Sequence, residues 1–195
     1  MILLDFNWEE LEGMCLNCHK CALSQNRHNV VIGKGSKNAD IMFIGEGPGE
    51  QEDLQGVPFV GAAGQLLDKM LLAAGLDEND YYITNIVKCR PPYNRDPLEE
   101  EQSACINYLR RQFLLVRPKI IVCLGRIAAK AVINPDFKIT KDRGIWTERK
   151  HTYMIATFHP SAVLRDMTKK KPAWEDMKEI RRKLLELRKE QQIEG

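Results

Sequence analysis

The sequence predicts an α/β fold of three layers, in which helices cover both faces of a mainly parallel central sheet. Short apolar runs bounded by turn residues recur along the chain, and several segments between them repeat apolar residues at helical spacing. The 195 residues, of which 44% are apolar, are enough to bury one core. Since no repeat or low-complexity linker interrupts the pattern, we expect a single domain over residues 1–195.

Five apolar runs are predicted to form the strands, because each is short and bounded by turn residues. Several of them end at a loop that carries polar side chains, which is where an open α/β sheet binds its ligands. In chain order the runs are VVIG at 30–33, IMFIG at 41–45, YYITN at 81–85, KIIVCLG at 119–125 and YMIATF at 153–158.

Three helices are predicted from apolar stripes and from residues that favour helix ends. The first covers 62–74, and Gly75 supplies its stop. The second covers about 98–115 and begins after Pro97 with three glutamates, which the positive end of the helix dipole favours. The third, over about 173–191, repeats apolar residues at steps of three and four, so we expect it to pack on the domain along one stripe.

Composition excludes several classes of protein. The formal net charge is +2, from 29 basic and 27 acidic side chains, far from that of a dedicated nucleic-acid coat protein. No stretch approaches membrane-spanning length, and Glu9 and Glu10 stand where a secretory signal needs a basic start. We therefore expect a cytoplasmic protein with no membrane partner. In that compartment the six cysteines stay reduced and serve as metal ligands or core residues.

Four cysteines form the most informative pattern in the chain. Cys18 and Cys21 make a C-x2-C pair, and Cys89 and Cys105 bracket a loop rich in proline and arginine. Thiolates grouped in this way ligate zinc or an iron–sulfur cluster. Cys15 makes a second C-x2-C pair with Cys18, so the spacing leaves open whether Cys15 or Cys21 is a ligand.

A glycine-rich loop, GEGPGEQEDLQGVPFVG at 45–61, continues from the strand IMFIG. Glycines there let backbone N–H groups approach a ligand closely, at the edge of the sheet where ligands bind. The loop lacks the Gly-Lys-Ser/Thr ending of a phosphate-binding P-loop. Phe59, which follows Pro58, is either a core residue or a stacking platform for a planar base.

The segment TNIVKCRPPYNR at 84–95 also follows a strand. The amide of Asn85 offers a donor and an acceptor that can match the polar edge of a base, or else it satisfies the local backbone as a turn-former. The loop after it is basic, through Lys88, Arg90 and Arg95. Such a loop fits contact with nucleic acid as well as a solvated surface.

The segment FHPSAVLR at 158–165 follows the last predicted strand. His159 either donates a hydrogen bond to a developing oxyanion or acts as a structural turn residue before proline. Val163 or Leu164 suits a wedge into a base stack, and Arg165 suits contact with a phosphate.

The order of these segments resembles that of family 4 uracil-DNA glycosylases of the iron–sulfur type, in the uracil-DNA glycosylase superfamily. The likeness covers roughly residues 18–165, where C-x2-C, GEGPGE with PFVG, TN with KCRPP, a further cysteine and HPS follow one another. The resemblance implies a monofunctional enzyme of base excision repair. Such an enzyme hydrolyses the N-glycosidic bond of deoxyuridine in DNA, releases uracil and leaves an abasic site.

The resemblance also implies a cofactor and partners. The cofactor is a 4Fe-4S cluster with a structural rather than a redox role, and its ligands are Cys18, Cys21, Cys89 and Cys105. Cys15 is then the extra thiol. The partner is uracil-containing DNA, single- or double-stranded, with a sliding clamp or downstream repair enzymes as further partners. The residues implied to contact DNA are Arg90, Arg95, Val163, Leu164 and Arg165.

Roles in the uracil pocket follow from the same resemblance. Phe59 stacks on uracil, Asn85 reads its polar edge, and His159 stabilises the charge that develops on uracil O2. Backbone amides around residues 45–47, namely Gly45, Glu46 and Gly47, contact the uracil carbonyls.

Two tasks in the pocket are assigned by default. Some other glycosylase families keep an Asp or Asn at the position of Gly47, so Glu46 is the nearest acidic candidate to position water or stabilise the sugar cation. Gly49 stands at the position where some relatives have a tyrosine that keeps thymine out of the pocket. Glu50 or Glu52 is then left to exclude thymine.

Two other classes of function fit part of the pattern. A noncatalytic DNA-binding module stapled by an iron–sulfur cluster or zinc needs only the cysteines and the basic loop. It does not account for Phe59, Asn85 and His159 near strand ends. A metal-dependent phosphoesterase needs clusters of histidine and aspartate ligands, and the chain has four histidines in all.

Overall fold

A computed structural model describes residues 6–194 of the chain. Six strands form one sheet in the order β1-β3-β2-β4-β6-β5. The four inner strands run parallel, and the edge strands β1 and β5 are antiparallel to their neighbours. The strands are β1 (Lys34–Gly35), β2 (Ile41–Gly45), β3 (Tyr81–Asn85), β4 (Ile120–Leu124), β5 (Thr147–Arg149) and β6 (Thr152–Thr157).

Helices precede, connect and follow the strands, and those between parallel strands make the crossovers of an α/β sheet. They are α1 (Trp8–Leu16), α2 (Glu50–Gln55), α3 (Ala62–Ala73), α4 (Glu99–Val116), α5 (Arg126–Val132), α6 (Ile139–Asp142), α7 (Pro160–Arg165) and α8 (Lys170–Glu194). In the described part of the chain, no helix is both long and apolar enough to cross a membrane.

Alternate residues of the strands face two separate apolar clusters, which confirms the predicted three-layer arrangement. On one face Met42 and Ile44 pack in a cluster with residues of α1, α4 and α5. On the other face Ile41 and Phe43 pack in a cluster with residues of α3 and α8. The buried residues that α3 and α8 contribute to that second cluster are Leu67, Leu71, Met177, Ile180, Leu184 and Leu187.

The predicted helices are confirmed with small shifts at their ends. α3 stops before Gly75, whose φ of 74° is left-handed, and α4 begins with the three glutamates. α8 begins at Lys170, earlier than predicted. Pro172 falls within its first turn, where backbone N–H groups make no helical hydrogen bond, so the helix tolerates the proline there. Four of the five predicted strands are also present.

The prediction of a strand at 30–33 is wrong. The N–H of Val31 donates to the carbonyl of Lys88 at 2.8 Å, but residues 86–89 bend after β3 and offer no continuous ladder. Regular pairing with β3 is confined to Lys34 and Gly35. The hairpin strand β5 was not predicted, because its short and polar sequence carries no apolar alternation.

Candidate active site

Three of the segments singled out in the sequence meet at the carboxyl edge of the parallel strands. Gly45 ends β2 and Asn85 ends β3, and the two are register partners. His159 lies two residues beyond the end of β6. Its ring centroid is 5.8 Å from that of Phe59, and the two planes are tilted by 33°. Parallel strands bring these side chains together because their carboxyl ends share one edge.

Asn85 is buried, with 1% of its surface exposed. Its side-chain oxygen has no hydrogen-bond partner among the described residues. A buried carbonyl oxygen without a donor is unfavourable by about 1–3 kcal/mol, so native proteins rarely keep one without a reason. The oxygen lies beside Gly45, where a Cβ would come within 2.4 Å of it. The site therefore presents an unsatisfied acceptor to whatever binds there.

Phe59 is buried and has a φ of 54°, which is uncommon for a bulky residue. Two contacts hold this conformation. Lys34 Nζ donates to the carbonyl of Phe59 at 3.2 Å. Gly64 leaves room for the same carbonyl, since a Cβ there would lie 2.0 Å from it. The backbone of Phe59 is therefore held in place, and its ring lies beside Gly45 and His159.

The carboxylate of Glu52 holds the loop that carries Phe59. It accepts the backbone N–H groups of Val60 and Gly61, each at 2.8 Å. It also lies close enough to His159 to act on the pKa of the imidazole. Glu50, by contrast, is exposed and lies 3.5 Å from Arg90. Of the two acids considered for thymine exclusion, only Glu52 is thus placed beside the residues of the pocket.

His159 is held as a neutral imidazole with its proton on Nε2. Its Nδ1 accepts the backbone N–H of Ser161 at 3.2 Å and lies 2.8 Å from the Ser161 hydroxyl. Burial, helped by the charge of Arg165, lowers the pKa of His159 to about 4 against a weaker opposing effect of Glu52. Since Nδ1 is occupied as an acceptor, Nε2–H is the donor that the ring can offer.

Glu46 lies beside a group of charged side chains. Burial, reinforced by the neighbouring Asp96 carboxylate, raises the pKa of Glu46 to about 7, while Arg126 and Arg165 act in the opposite direction. Arg126 forms an ion pair with Asp96. A carboxyl group with a pKa near 7 is suited to accepting a proton at neutral pH.

The glycine-rich loop at 45–61 also contacts the segment that leads to Cys89. The N–H of Val87 donates to the carbonyl of Glu46 at 3.2 Å. Gly47 packs on this segment, because a Cβ there would come within 2.7 Å of Val87 and 3.5 Å of Pro91. The floor of the pocket and the cysteine-bearing loop are thus one connected surface.

The residues expected to contact DNA differ in their accessibility. Arg90 bonds Asn94 through Nε at 2.8 Å, and Arg95 binds both carboxylate oxygens of Glu101 at 2.8 and 2.7 Å. Leu164 is 47% exposed, and Arg165 is exposed as well. The expectation for Val163 needs correction, since its side chain is 2% exposed and packs with Phe158 and Ala173.

Lys88 needs a second correction, because it is not part of a basic surface. It is 2% exposed, and its ammonium donates to Thr84 Oγ1, Asn85 O and Gln112 Oε1 at 2.7, 2.6 and 2.6 Å. Burial lowers its pKa to about 8. The sequence places this lysine among arginines, and nothing in that neighbourhood distinguishes a buried lysine from a solvated one.

Five cysteine side chains line one cavity between α1, the segment after it, and α4. They are Cys15, Cys18, Cys21, Cys89 and Cys105. Arg27 ties the two cysteine segments together, with NH1 donating to the Cys18 carbonyl at 2.7 Å and to Cys89 Sγ at 3.4 Å. The backbone N–H of Lys88 donates to Cys105 Sγ at 3.3 Å. These hydrogen bonds are of the kind that stabilise thiolate ligands.

The cysteines line the cavity without closing around a single ion. No three histidine, cysteine or acidic side chains in residues 6–194 are grouped so as to hold one metal ion. A zinc site needs its sulfurs about 2.3 Å from one centre. An iron–sulfur cluster is larger, so its four ligands stand further apart. The five thiols that line this cavity could supply the four ligands of either kind of site.

The sequence does not predict several residues that lie near the site. Arg126 and Asp96 come close to Glu46 only in the folded chain, and in the sequence Ser161 stands out only as the last residue of HPS. Asp53 is buried and accepts the backbone N–H of His28 at 3.0 Å, which ties α2 to the segment after the first cysteines. Their sequence signal is weak, because a single polar or charged residue in a loop or a short helix is usually solvated.

Comparisons with known proteins agree with this geometry. The family model of the uracil DNA glycosylase superfamily matches residues 32–178. A type-4 uracil-DNA glycosylase of Archaeoglobus fulgidus is 49% identical over 157 residues, which cover 76% of this chain and 79% of the relative. One from Sulfurisphaera tokodaii is 46% identical, with 89% and 83% covered. One from Thermotoga maritima is 47% identical, with 76% and 79% covered.

Proposed function

The chain belongs to the type-4 uracil-DNA glycosylases of the uracil-DNA glycosylase superfamily, and on that premise we propose that it excises uracil from DNA. The reaction breaks the bond between uracil N1 and the sugar C1′. Water supplies the oxygen that bonds to C1′, and a water proton balances the uracil anion. The products are free uracil and an abasic site, so the enzyme acts in base excision repair.

The observation that carries this proposal is the unsatisfied side-chain oxygen of Asn85. Uracil N3–H is the donor that this oxygen lacks, and the amide NH2 of the same side chain suits uracil O4. Cytosine has no hydrogen on N3 and presents a donor in place of O4, so it would leave both amide groups unpaired. Such mismatches are the strongest source of selectivity between polar ligands.

Phe59 supports recognition by stacking. Its ring is fixed next to Gly45, the register partner of Asn85. A base–aromatic stack is worth about 1–3 kcal/mol, which helps to offset the few kcal/mol needed to extrude the nucleotide from a duplex. The backbone N–H groups of residues 45–47 complete the pocket as donors to the uracil carbonyls.

His159 stabilises the leaving group. Cleavage of the N1–C1′ bond leaves negative charge on uracil, much of it on O2, and a donor held in place lowers the energy of that charge. The imidazole is neutral with its donor at Nε2, because Ser161 occupies Nδ1 and burial lowers the pKa to about 4. A neutral donor does this without a proton transfer to the base.

Glu46 serves the sugar side of the reaction. An ionised carboxylate there stabilises the developing sugar cation and accepts a hydrogen bond from the attacking water. Its pKa of about 7 allows a large ionised fraction at neutral pH. The exposed Arg165 is our candidate for holding the backbone phosphates, together with Arg90 and Arg95, and Leu164 for filling the gap left by the extruded nucleotide.

The cavity lined by cysteines suits a 4Fe-4S cluster, for which we propose Cys18, Cys21, Cys89 and Cys105 as ligands. When bound, the cluster supplies a covalent cross-link between the segment after α1 and the loop after β3. Arg27 and the backbone of Lys88 donate to ligand sulfur in that arrangement. Val87, two residues before Cys89, contacts the floor of the uracil pocket, so the cross-link supports the site.

The substrate we propose is DNA that contains deoxyuridine, in single strands or in duplexes. A sliding clamp and downstream repair enzymes stay predictions as further partners. None of the six cysteines forms a disulfide in this structure, which suits the reducing cytoplasm that we expect for this enzyme.

The test is uracil release from deoxyuridine oligonucleotides, single-stranded and with a U:G pair, in the presence of a chelator. Alkali then cleaves the abasic sites, and a thymine oligonucleotide is the control. We expect release from uracil DNA alone, with the same rate when chelator is present. Protein with full iron content that releases no uracil from either substrate would leave a noncatalytic DNA-binding module as the function.

A further inference from the structure

Tyr93 is the most exposed of the large apolar and aromatic side chains in the described part of the chain, at 99%. Single exposed aromatic residues are common, but the backbone beneath this one is unusual. Tyr93 has a φ of 55° and Asn94 a φ of 54°, both left-handed. A bulky residue adopts that region only with strain, and an exposed ring makes no contacts within the chain that would offset it.

The loop that carries Tyr93 is held firmly on both sides. The N–H groups of Asn94 and Arg95 donate to the carbonyls of Pro91 and Pro92, each at 3.1 Å. The side chain of Asn94 accepts from Arg90, and Arg95 binds Glu101 through two hydrogen bonds. The ring is thus presented to solvent from a stiff support, which reduces the entropy lost when a ligand binds it.

Both ends of this loop lie beside the glycine-rich loop that borders the uracil pocket. Pro91 lies 3.5 Å from the point where a Cβ on Gly47 would project. Asp96 lies next to Glu46, whose pKa it raises. Two residues span at most about 7 Å, so Tyr93 is within that distance of Pro91, which packs on the glycine-rich loop. Adjacent bases of a DNA strand rise by about 3.4 Å, so a neighbour of the extruded nucleotide is within reach.

From this placement we infer that Tyr93 stacks on a base next to the target deoxyuridine. The inference rests on the proposed function and adds a second stacking position outside the pocket, where Phe59 supplies the first. An exposed ring on a rigid loop suits a base of any sequence, because every base offers a flat face. The partner is DNA in which the strand is locally unstacked, either single-stranded or bent around the extruded nucleotide.

The test uses an oligonucleotide with 2′-fluorodeoxyuridine, whose fluorine disfavours the sugar cation and so prevents excision. 2-Aminopurine stands on the 5′ side of the target in one oligonucleotide and on the 3′ side in another. We expect the wild-type protein to quench the fluorescence at one of these positions. Tyr93→Gly, which also suits the left-handed backbone, removes the quenching. It weakens binding of the single strand about 5- to 150-fold, as expected from one stacked base.

Two variants control the measurement. Tyr93→Phe keeps the ring and should keep both the quenching and the affinity. Leu72→Ala removes another exposed side chain, 78% exposed on α3, and should change neither. Unchanged binding and quenching in Tyr93→Gly would overturn the inference, and Tyr93 would then be free for a contact with another protein. Uracil release by the wild-type protein, measured beside these experiments, tests the proposed function separately.

Discussion

The side-chain oxygen of Asn85 lies 2.4 Å from the point where a Cβ on Gly45 would project. The ring of Phe59 lies 2.7 Å from the same point. Gly45 and Asn85 are register partners across β2 and β3, so the sheet itself sets this distance. The absence of a side chain at Gly45 is therefore what allows the amide and the ring to border one pocket.

Gly45→Ala is expected to lower kcat/KM for uracil release by about 100-fold, because a shift of about 1 Å in a catalytic site has that effect. Either the amide or the ring must move away from the added methyl group. Gly13→Ala is the matched control, since a Cβ there meets no atom within 4 Å. The measurement is steady-state kinetics on single-stranded substrate, with thermal unfolding to show that both variants fold. Equal activity of the two variants would contradict this account of Gly45.

Asn85→Asp is expected to reverse the preference for the base. A carboxylate accepts hydrogen bonds from the cytosine amino group, whereas it repels uracil O4. Release of cytosine should appear, and release of uracil should fall by a large factor. The assay compares matched oligonucleotides that contain one uracil or one cytosine. Full uracil activity without cytosine release would show that Asn85 does not read the polar edge of the base.

The sequence was most informative where function depends on strand ends. Asn85 and His159 were placed correctly at one edge, because apolar runs identify parallel strands and these share a carboxyl side. Lys88 and Val163 were misjudged for one reason. Burial depends on which side of a loop or short helix faces the core, and this follows from tertiary packing rather than from residue type. The strained backbone of Phe59 likewise depends on its contact with Lys34, which is 25 residues away in sequence.

The pH dependence of uracil release is expected to follow Glu46. Its pKa is raised to about 7, so the carboxyl group is neutral below that pH and becomes ionised as the pH rises. The single-turnover rate should rise as the pH increases through about 7 and level off above it. His159 adds no step there, since its pKa is about 4. Glu46→Gln should be slower and should lose the rise, and a variant that kept the same profile would exclude Glu46 as its source.

The choice between Cys15 and Cys21 as a cluster ligand is open to a direct test. Cys15 lies in α1 and is buried in the core, whereas Cys21 lies in the irregular segment after α1, which can fold around a cluster. We expect Cys21→Ser to lose iron and visible absorbance, and Cys15→Ser to keep both. Cys123→Ala in β4, away from the cavity, is the control for handling of the protein. Loss of iron from Cys15→Ser alone would exchange the two assignments.

Lys88 and Arg165 are expected to respond to mutation in opposite ways. Lys88→Met leaves acceptors at Thr84 and Gln112 short of a donor in the core, and stability should fall by about 1–3 kcal/mol for each acceptor left unpaired. Because the ammonium does not reach solvent, the salt dependence of DNA binding should not change.

Arg165→Gln should leave stability within about 0.5 kcal/mol of wild type, as for most surface changes. It should reduce the slope of log affinity against log salt by roughly one, the loss of a single phosphate contact. Denaturant unfolding and binding titrations at several salt concentrations measure both quantities. A reduced salt slope in Lys88→Met would return that lysine to the DNA-binding surface.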